Sequence, residues 1–450
     1  MADAARAHTA GEIRGTSWME EFARKSLAPI TEVRHGETGS VLLLAANVFL
    51  LLASYYLLKT VRESLILSEG GAEVKSYSSA IQALILLGAV PVYGWLASNV
   101  RRMQLVVSVT LFFATNLLIF AGLLMSGISI AVPFFIWVGI FNLFIVSQFW
   151  AFANDFYSEE QGKRLFPIVG LGSSIGALVG SDAASSLFRR TGVMEILLVA
   201  TAVLAGSLLI TLYANRRECA VCANQSARSA TPLNKSGGFT MIAKDRYLLA
   251  IAVVVLLSNV VNTTGEYILG SLLMQQAATI SGGMDAAAKG RFVGEFYGAY
   301  FRWVNLLGLG LQLFLVSRLF RWVGVRGALF ALPLVSLGGY VGLMAAPLLA
   351  VARVSKVFEN GVDYSVQSTT RQALFLPTSR EAKYKAKAAV DTFFWRAGDL
   401  LQAGVVWVGL QAGFGVRQFA TLNTLLVLAW LAVSVVLYRQ HKQLTDANGS

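Results

Sequence analysis

The stretch VLLLAANVFLLLASYYLLKTVRESL, Val41 to Leu65, decides how the chain is read. It is long and apolar enough to cross a bilayer, which takes roughly 20 residues of helix. Yet its end, YYLLKTVRESL, carries Lys59, Arg62 and Glu63. A charge at the centre of a membrane helix costs roughly 2.5–3.5 kcal/mol on the insertion scale. Such residues persist only where they meet a wet cavity, one another or the interface. Tyr55, Lys59 and Arg62 recur at i, i+4 and i+7, which puts them on one helical face.

The rest of the chain repeats this pattern. Of 450 residues 56% are hydrophobic and 14% charged, and the mean hydropathy is +0.61. That composition excludes an ordinary soluble protein and predicts a polytopic one. Twelve apolar segments are expected as spans: 40–68, 77–98, 104–126, 130–156, 165–188, 194–214, 247–277, 292–316, 326–345, 347–372, 386–412 and 417–438. Their length and continuity argue against a β-barrel. The expected fold class is an all-α membrane protein of two six-helix bundles, 40–214 and 247–438. They are joined by a linker at 215–246 and flanked by an N-terminal segment 1–39 and a tail 439–450. The N-terminal segment has no apolar signal-peptide core, so the first span is read as a retained anchor.

The net charge of +12 reports topology and not a nucleic-acid partner. With the N-terminus inside, 24 of the 37 basic residues fall in cytoplasmic segments, among them Arg101, Arg102, Lys163, Arg164, Arg216 and Arg217. The outer loops carry six: Lys75, Arg189, Arg190, Lys289, Arg291 and Arg417. This asymmetry predicts that both termini are cytoplasmic. Cys219 and Cys222 form a CAVC pair with no second pair to complete a zinc site, so no metal and no cofactor is expected.

Within the spans, seven basic residues (Lys59, Arg62, Arg302, Arg353, Lys356, Arg371 and Arg396) accompany Glu63, Asp155, Glu266, Glu295, Glu359, Asp363, Asp391 and Asp399. Two readings fit them. Lys59–Glu63 and Arg396–Asp399 have the spacing of helical ion pairs, and Glu359 and Asp363 could neutralise Arg353 and Lys356. Alternatively, the clustering of Arg353, Lys356, Asn360, Asp363, Gln367 and Thr370 at helical period, with like stripes on other spans, marks a polar lumen. An excess of Arg and Lys on an inward face suits an anion, Arg as a fork and Lys as a point charge. Gly172, Gly176 and Gly180, in GLGSSIGALVG, lack the strand a phosphate loop needs and read as a helix-packing face.

Three segments resemble the ATP/ADP translocase family of plastids and obligate intracellular bacteria, relatives of the major facilitator fold. They are YYLLKTVRESL; FWAFANDFYSEEQGKRLFPIVGLGSSIGALVG, Phe149 to Gly180; and YSVQSTTRQALFLPTSREAKYKAKAAVDTFFWRAGD, Tyr364 to Asp399. GWLASNVRRMQ, Gly94 to Gln104, also resembles the major facilitator loop, with Asn99 in place of its aspartate. The resemblance implies phosphate-binding roles for Lys59, Arg62 and Arg371, with Asp155 and Glu266 at the family's acidic positions. Arg302, Lys356 and Asn360 join them as candidate substrate contacts, and Glu63, Glu295, Asp363, Asp391, Arg396 and Asp399 as candidate pairs between bundles. Departures are clear: Lys and Arg exchange places at 59 and 62, Arg371 and Gln372 replace a lysine and a glutamate, and no lysine follows Glu266.

These features lead to an expected nucleotide antiporter, ATP against ADP or a relative, working by alternating access as a monomer in the lipid bilayer. The alternative is a major facilitator-type carrier of another anionic solute, a phosphorylated metabolite, carboxylate or lysolipid, with proton coupling. An enzyme is not expected, because no intramembrane His or Cys and no Ser/His/Asp set occurs within the spans.

Overall fold

The computed structural model describes Arg34 and residues 37–157, 159–221, 238–280, 286–379 and 382–448; Cys222 and half of the linker lie outside them. Among the described residues every regular element is helical. Without water to satisfy backbone groups, a membrane segment must bond internally, and a run of Leu, Val, Ile and Phe does so as a helix.

The first element, α1 (Thr38–Asn99), merges the first two expected spans. It is broken at Gly71, with φ 73° and ψ −176°, a left-handed conformation that only glycine adopts cheaply. The expected loop between 68 and 77 is therefore helical on both sides of one residue. There follow α2 (Arg102–Met125), α3 (Ala131–Phe156), α4 (Glu159–Arg190) and α5 (Val193–Val221). After the linker come α6 (Gly238–Lys244), α7 (Arg246–Ile280), α8 (Ala286–Phe314), α9 (Val316–Ala328) and α10 (Ala331–Ala345). The stretch SRLFRWVGVRG, 317–327, which joins the eighth and ninth expected spans, is helical and lies within α9, bent 75° from α8 and kinked at Gly324.

The tenth expected span is α11 (Leu349–Val362), a π-helical turn Asp363–Gln367 and α12 (Ser368–Leu374). The eleventh contains π turns Ala382–Ala386 and Val390–Phe394 about α13 (Lys387–Ala389), then α14 (Trp395–Gln411); α15 (Val416–Asn448) closes the chain. Such π turns insert an extra residue and re-aim the side chains around it. Among the described residues, seven helices are by themselves long and apolar enough to cross a membrane, and the bent α8–α9 pair makes eight. One of the seven is α1, which holds two of the expected spans.

In the first part of the chain α1 packs on α3, α4 and α5. The α1–α4 seam is the tightest. A Cβ on Gly172, Gly176 or Gly180 would fall 2.5, 2.3 or 2.5 Å from the carbonyl oxygens of Ala45, Phe49 and Ala53. The constant register shows two parallel helices in backbone contact, the packing face expected from the sequence. In the second part α7 packs on α11, α14 and α15, and α10 on α11 and α15.

Contacts between the two parts run through α1, α4, α7, α8 and α14. Several crossing bonds gather beside the Gly71 break. Ser64 donates to the Gly290 carbonyl at 2.6 Å, and Gln402 donates to Ser76 at 3.1 Å. Leu67 and Ala72 close on Gly270.

Candidate functional site

A cavity of about 300 Å³ lies where α1, α3, α7, α8, α11 and α14 converge. Its charged lining is Lys59, Arg62, Glu63, Lys75, Glu266, Asp363, Arg396 and Asp399. Four cations thus face four carboxylates, and the cationic excess expected from the sequence is absent. The basic face of α1 meets acids contributed by α7, the π turn after α11 and α14.

The pairing differs from helical spacing. Glu63, almost fully buried, does not pair with Lys59 four residues earlier. It takes Arg62 and Lys75, whose Nζ is 2.7 Å away. Lys75 was expected in an outer loop, yet it is buried inside the helical part of α1 that follows Gly71. Its ammonium also stands 3.5 Å from Glu266 on α7, so one lysine is shared by carboxylates from the two parts of the chain.

The network continues outward from the cavity. Glu266 accepts hydrogen bonds from Tyr300 and Asn360, each at 3.1 Å, and lies 3.8 Å from Lys356. Lys356, buried behind Asn360, donates to the Asn262 side chain at 2.6 Å and pairs with Glu359 at 3.0 Å. Tyr340 donates to the same Glu359 carboxylate at 3.0 Å. Gly265 leaves the room for this, since a Cβ there would sit 2.1 Å from the Tyr340 hydroxyl. Buried ions are tolerable only when paired and hydrogen-bonded in this way.

Lys59 stands apart. Among the described residues it has no carboxylate partner; its Nζ lies 4.2 Å from the centre of the Phe301 ring and 5.2 Å from that of Tyr56. The Tyr364 hydroxyl is 3.4 Å away. Aromatic faces attract a cation without neutralising its formal charge. Arg62 likewise rests over Phe135, 4.5 Å from the ring centre, but is tied to Glu63.

Other expected site residues are placed as follows. Asn360 and Asp363 line the cavity. Arg396 and Asp399 form the expected i, i+3 pair at 3.3 Å, with Asn259 donating to Asp399 at 2.9 Å. Arg371 does not line the cavity; it lies 3.7 Å from Asp391 and over Trp395. Arg302 is also elsewhere, bonded to Asp182 of α4, and Glu295 pairs with Arg189 at 3.5 Å. Arg353 rests over Phe296 and not against Glu359 or Asp363, because Glu359 is taken by Lys356. The Asp155 side chain lies outside the described residues.

Sequence reading missed Lys75 and Asp182 as partners of Glu63, Glu266 and Arg302. It also missed the amide lining of Asn142, Asn259, Asn262 and Gln402.

No known family profile matches the chain. Its sequence is 24% identical over 334 residues to ADP,ATP carrier protein 1 of Chlamydia pneumoniae, an alignment covering 63% of this chain and 62% of that carrier. Against ADP,ATP carrier protein 5 of Rickettsia typhi it is 22% identical over 460 residues, covering 85% and 89%. The chain is similar to ADP,ATP carrier proteins. In three dimensions it is similar to a POT family transporter solved with 5-aminolevulinic acid. The TM-score is 0.63 at 13% identity, over 90% of this chain and 96% of that one. It is also similar to the nucleoside transporter NupG, with a TM-score of 0.58 at 13% identity, over 90% and 99%. The chain shares the all-helical, major facilitator-like fold of these two structures, as the resemblance implied.

Proposed function

We propose that the protein is a membrane antiporter that exchanges nucleotides, ATP and ADP or close relatives, by alternating access of two six-helix bundles, 40–214 and 247–438. The observation that carries this reading is Lys59: a cavity-lining cation with no carboxylate partner among the described residues, in a chain similar to ADP,ATP carriers. Lys59 meets a phosphate directly, and Arg62 adds its fork when the anion draws it from Glu63. The Lys75–Glu266 contact and the bonds beside Gly71 hold the bundles together at that end. They part when the cavity opens there, while Lys75 stays with Glu63 inside its own bundle. Both termini are cytoplasmic in this reading, and a single chain suffices.

The test is uptake of labelled ATP into proteoliposomes loaded with ADP, compared with empty ones. The expected result is uptake that requires internal ADP and is lost in Lys59→Ala. Folded wild-type protein that takes up no nucleotide under either condition sinks the assignment. The neutral sum of the lining favours one second reading, a smaller phosphorylated or carboxylated cargo in the same cavity.

A further inference from the structure

The charge balance of the cavity singles out one residue. Of the four lining carboxylates, Glu63 is held by Arg62 and Lys75, Glu266 by Lys75 and Lys356, and Asp399 by Arg396. Asp363 is left over. Among the described residues its side chain makes no ion pair and no hydrogen bond. Two turns on, Arg371 is engaged with Asp391, and Lys356 and Glu359, on the helix before it, are engaged with each other. Of the four cations only Lys59 is likewise without an opposite charge.

The backbone explains how the carboxylate reaches the cavity. Asp363 opens the π-helical turn Asp363–Gln367, where the extra residue rotates the following side chains off the regular face. The next residue, Tyr364, reaches Lys59 across the lumen. The unspent cation and the unspent carboxylate therefore face the same cavity from different helices.

We propose that Asp363 is a specificity-determining residue: by balancing Lys59 in the summed charge of the cavity, without pairing with it, it selects a ligand that combines one anionic group with a hydrogen-bond donor or cationic group, over a ligand anionic throughout. This deepens the transporter reading and rests on it for the cavity being the ligand site, but not on the cargo being a nucleotide. A highly charged polyphosphate meets a lining of zero net charge. An amphoteric phosphate satisfies both groups at once.

The test measures binding to purified full-length protein, wild type and the near-isosteric Asp363→Asn, at fixed ionic strength. Two probe series are used: AMP, ADP and ATP, and phosphoethanolamine against glycerol 3-phosphate. One unit charge at ~12 Å and an effective dielectric of about 20 is worth about tenfold. Asp363→Asn is therefore expected to shift selectivity about tenfold toward the more anionic member of each pair. A folded variant with unchanged selectivity, or a wild type that binds nothing in either series, overturns the proposal. A shift between phosphoethanolamine and glycerol 3-phosphate with no nucleotide binding supports it while the nucleotide reading fails.

Discussion

Lys59 and Lys75 lie on one helix, on either side of Gly71, and live in opposite surroundings. Lys75 is wedged between two carboxylates and ties one part of the chain to the other. Lys59 faces rings and open volume. A lysine whose charge is matched by the protein is part of the structure, whereas one left unmatched is available to a ligand. Residue type and membrane depth alone do not separate the two roles.

The largest effect is expected at Lys75. Lys75→Met leaves Glu63 with Arg62 alone and Glu266 with a more distant cation, and breaking a buried pair from one side costs up to ~3–5 kcal/mol. Unfolding in detergent should show this, with partial recovery in the double variant Lys75→Met/Glu63→Gln. Full stability of the single variant would erase the distinction between the two lysines. Lys59→Met should do the reverse. Transport is expected to fall about 100-fold, the scale of one charge-assisted contact of ~2–3 kcal/mol, while the unfolding midpoint stays near wild type. Next comes Gly71→Ala, which forces a side chain into a left-handed conformation and should destabilise by ~1–3 kcal/mol, read in the same unfolding assay. Smallest is Arg302→Gln. Its pair with Asp182 is about half exposed, and a change within ~1 kcal/mol is expected. A larger loss would mean that this exposed pair also couples the two parts of the chain.

Much of this was legible in the sequence. Long apolar runs specify helices because nothing else satisfies their backbone, and the glycine steps of four in α4 identified a packing face from spacing alone. Lys59, Arg62, Asn360 and Asp363 were found because their period pointed them to one side, and Arg396 and Asp399 as an i, i+3 pair; all six line the cavity. Lys75 was hidden for two physical reasons. The polar run SEGGAEVKSYSS has the composition of a loop, and only tertiary packing keeps it helical. Its partner Glu266 is 191 residues away, beyond any local pattern. The same holds for the rings around Lys59: Tyr56 is local, but Phe301 and Tyr364 come from other helices. Arg302 and Arg371 were misplaced because membrane depth says nothing about which neighbour reaches a charge first. Asp391 and Asp182 did.

The glycine seam has a mechanical consequence. Along Gly172, Gly176 and Gly180 the backbone of α4 is seated on α1 with no side chain between them. These two helices cannot slip past one another without lifting apart. On the α8 side, α4 offers hydroxyls: Ser181 accepts from Asn305 at 3.1 Å, and Ser185 donates to the Glu295 carbonyl at 3.3 Å. Such short polar contacts can be exchanged for neighbouring ones at little cost in shear. One side of α4 is built as a weld and the other as a bearing, so a movement between the two parts of the chain would carry Lys59 with α4 as a single lever and leave the sliding to α8.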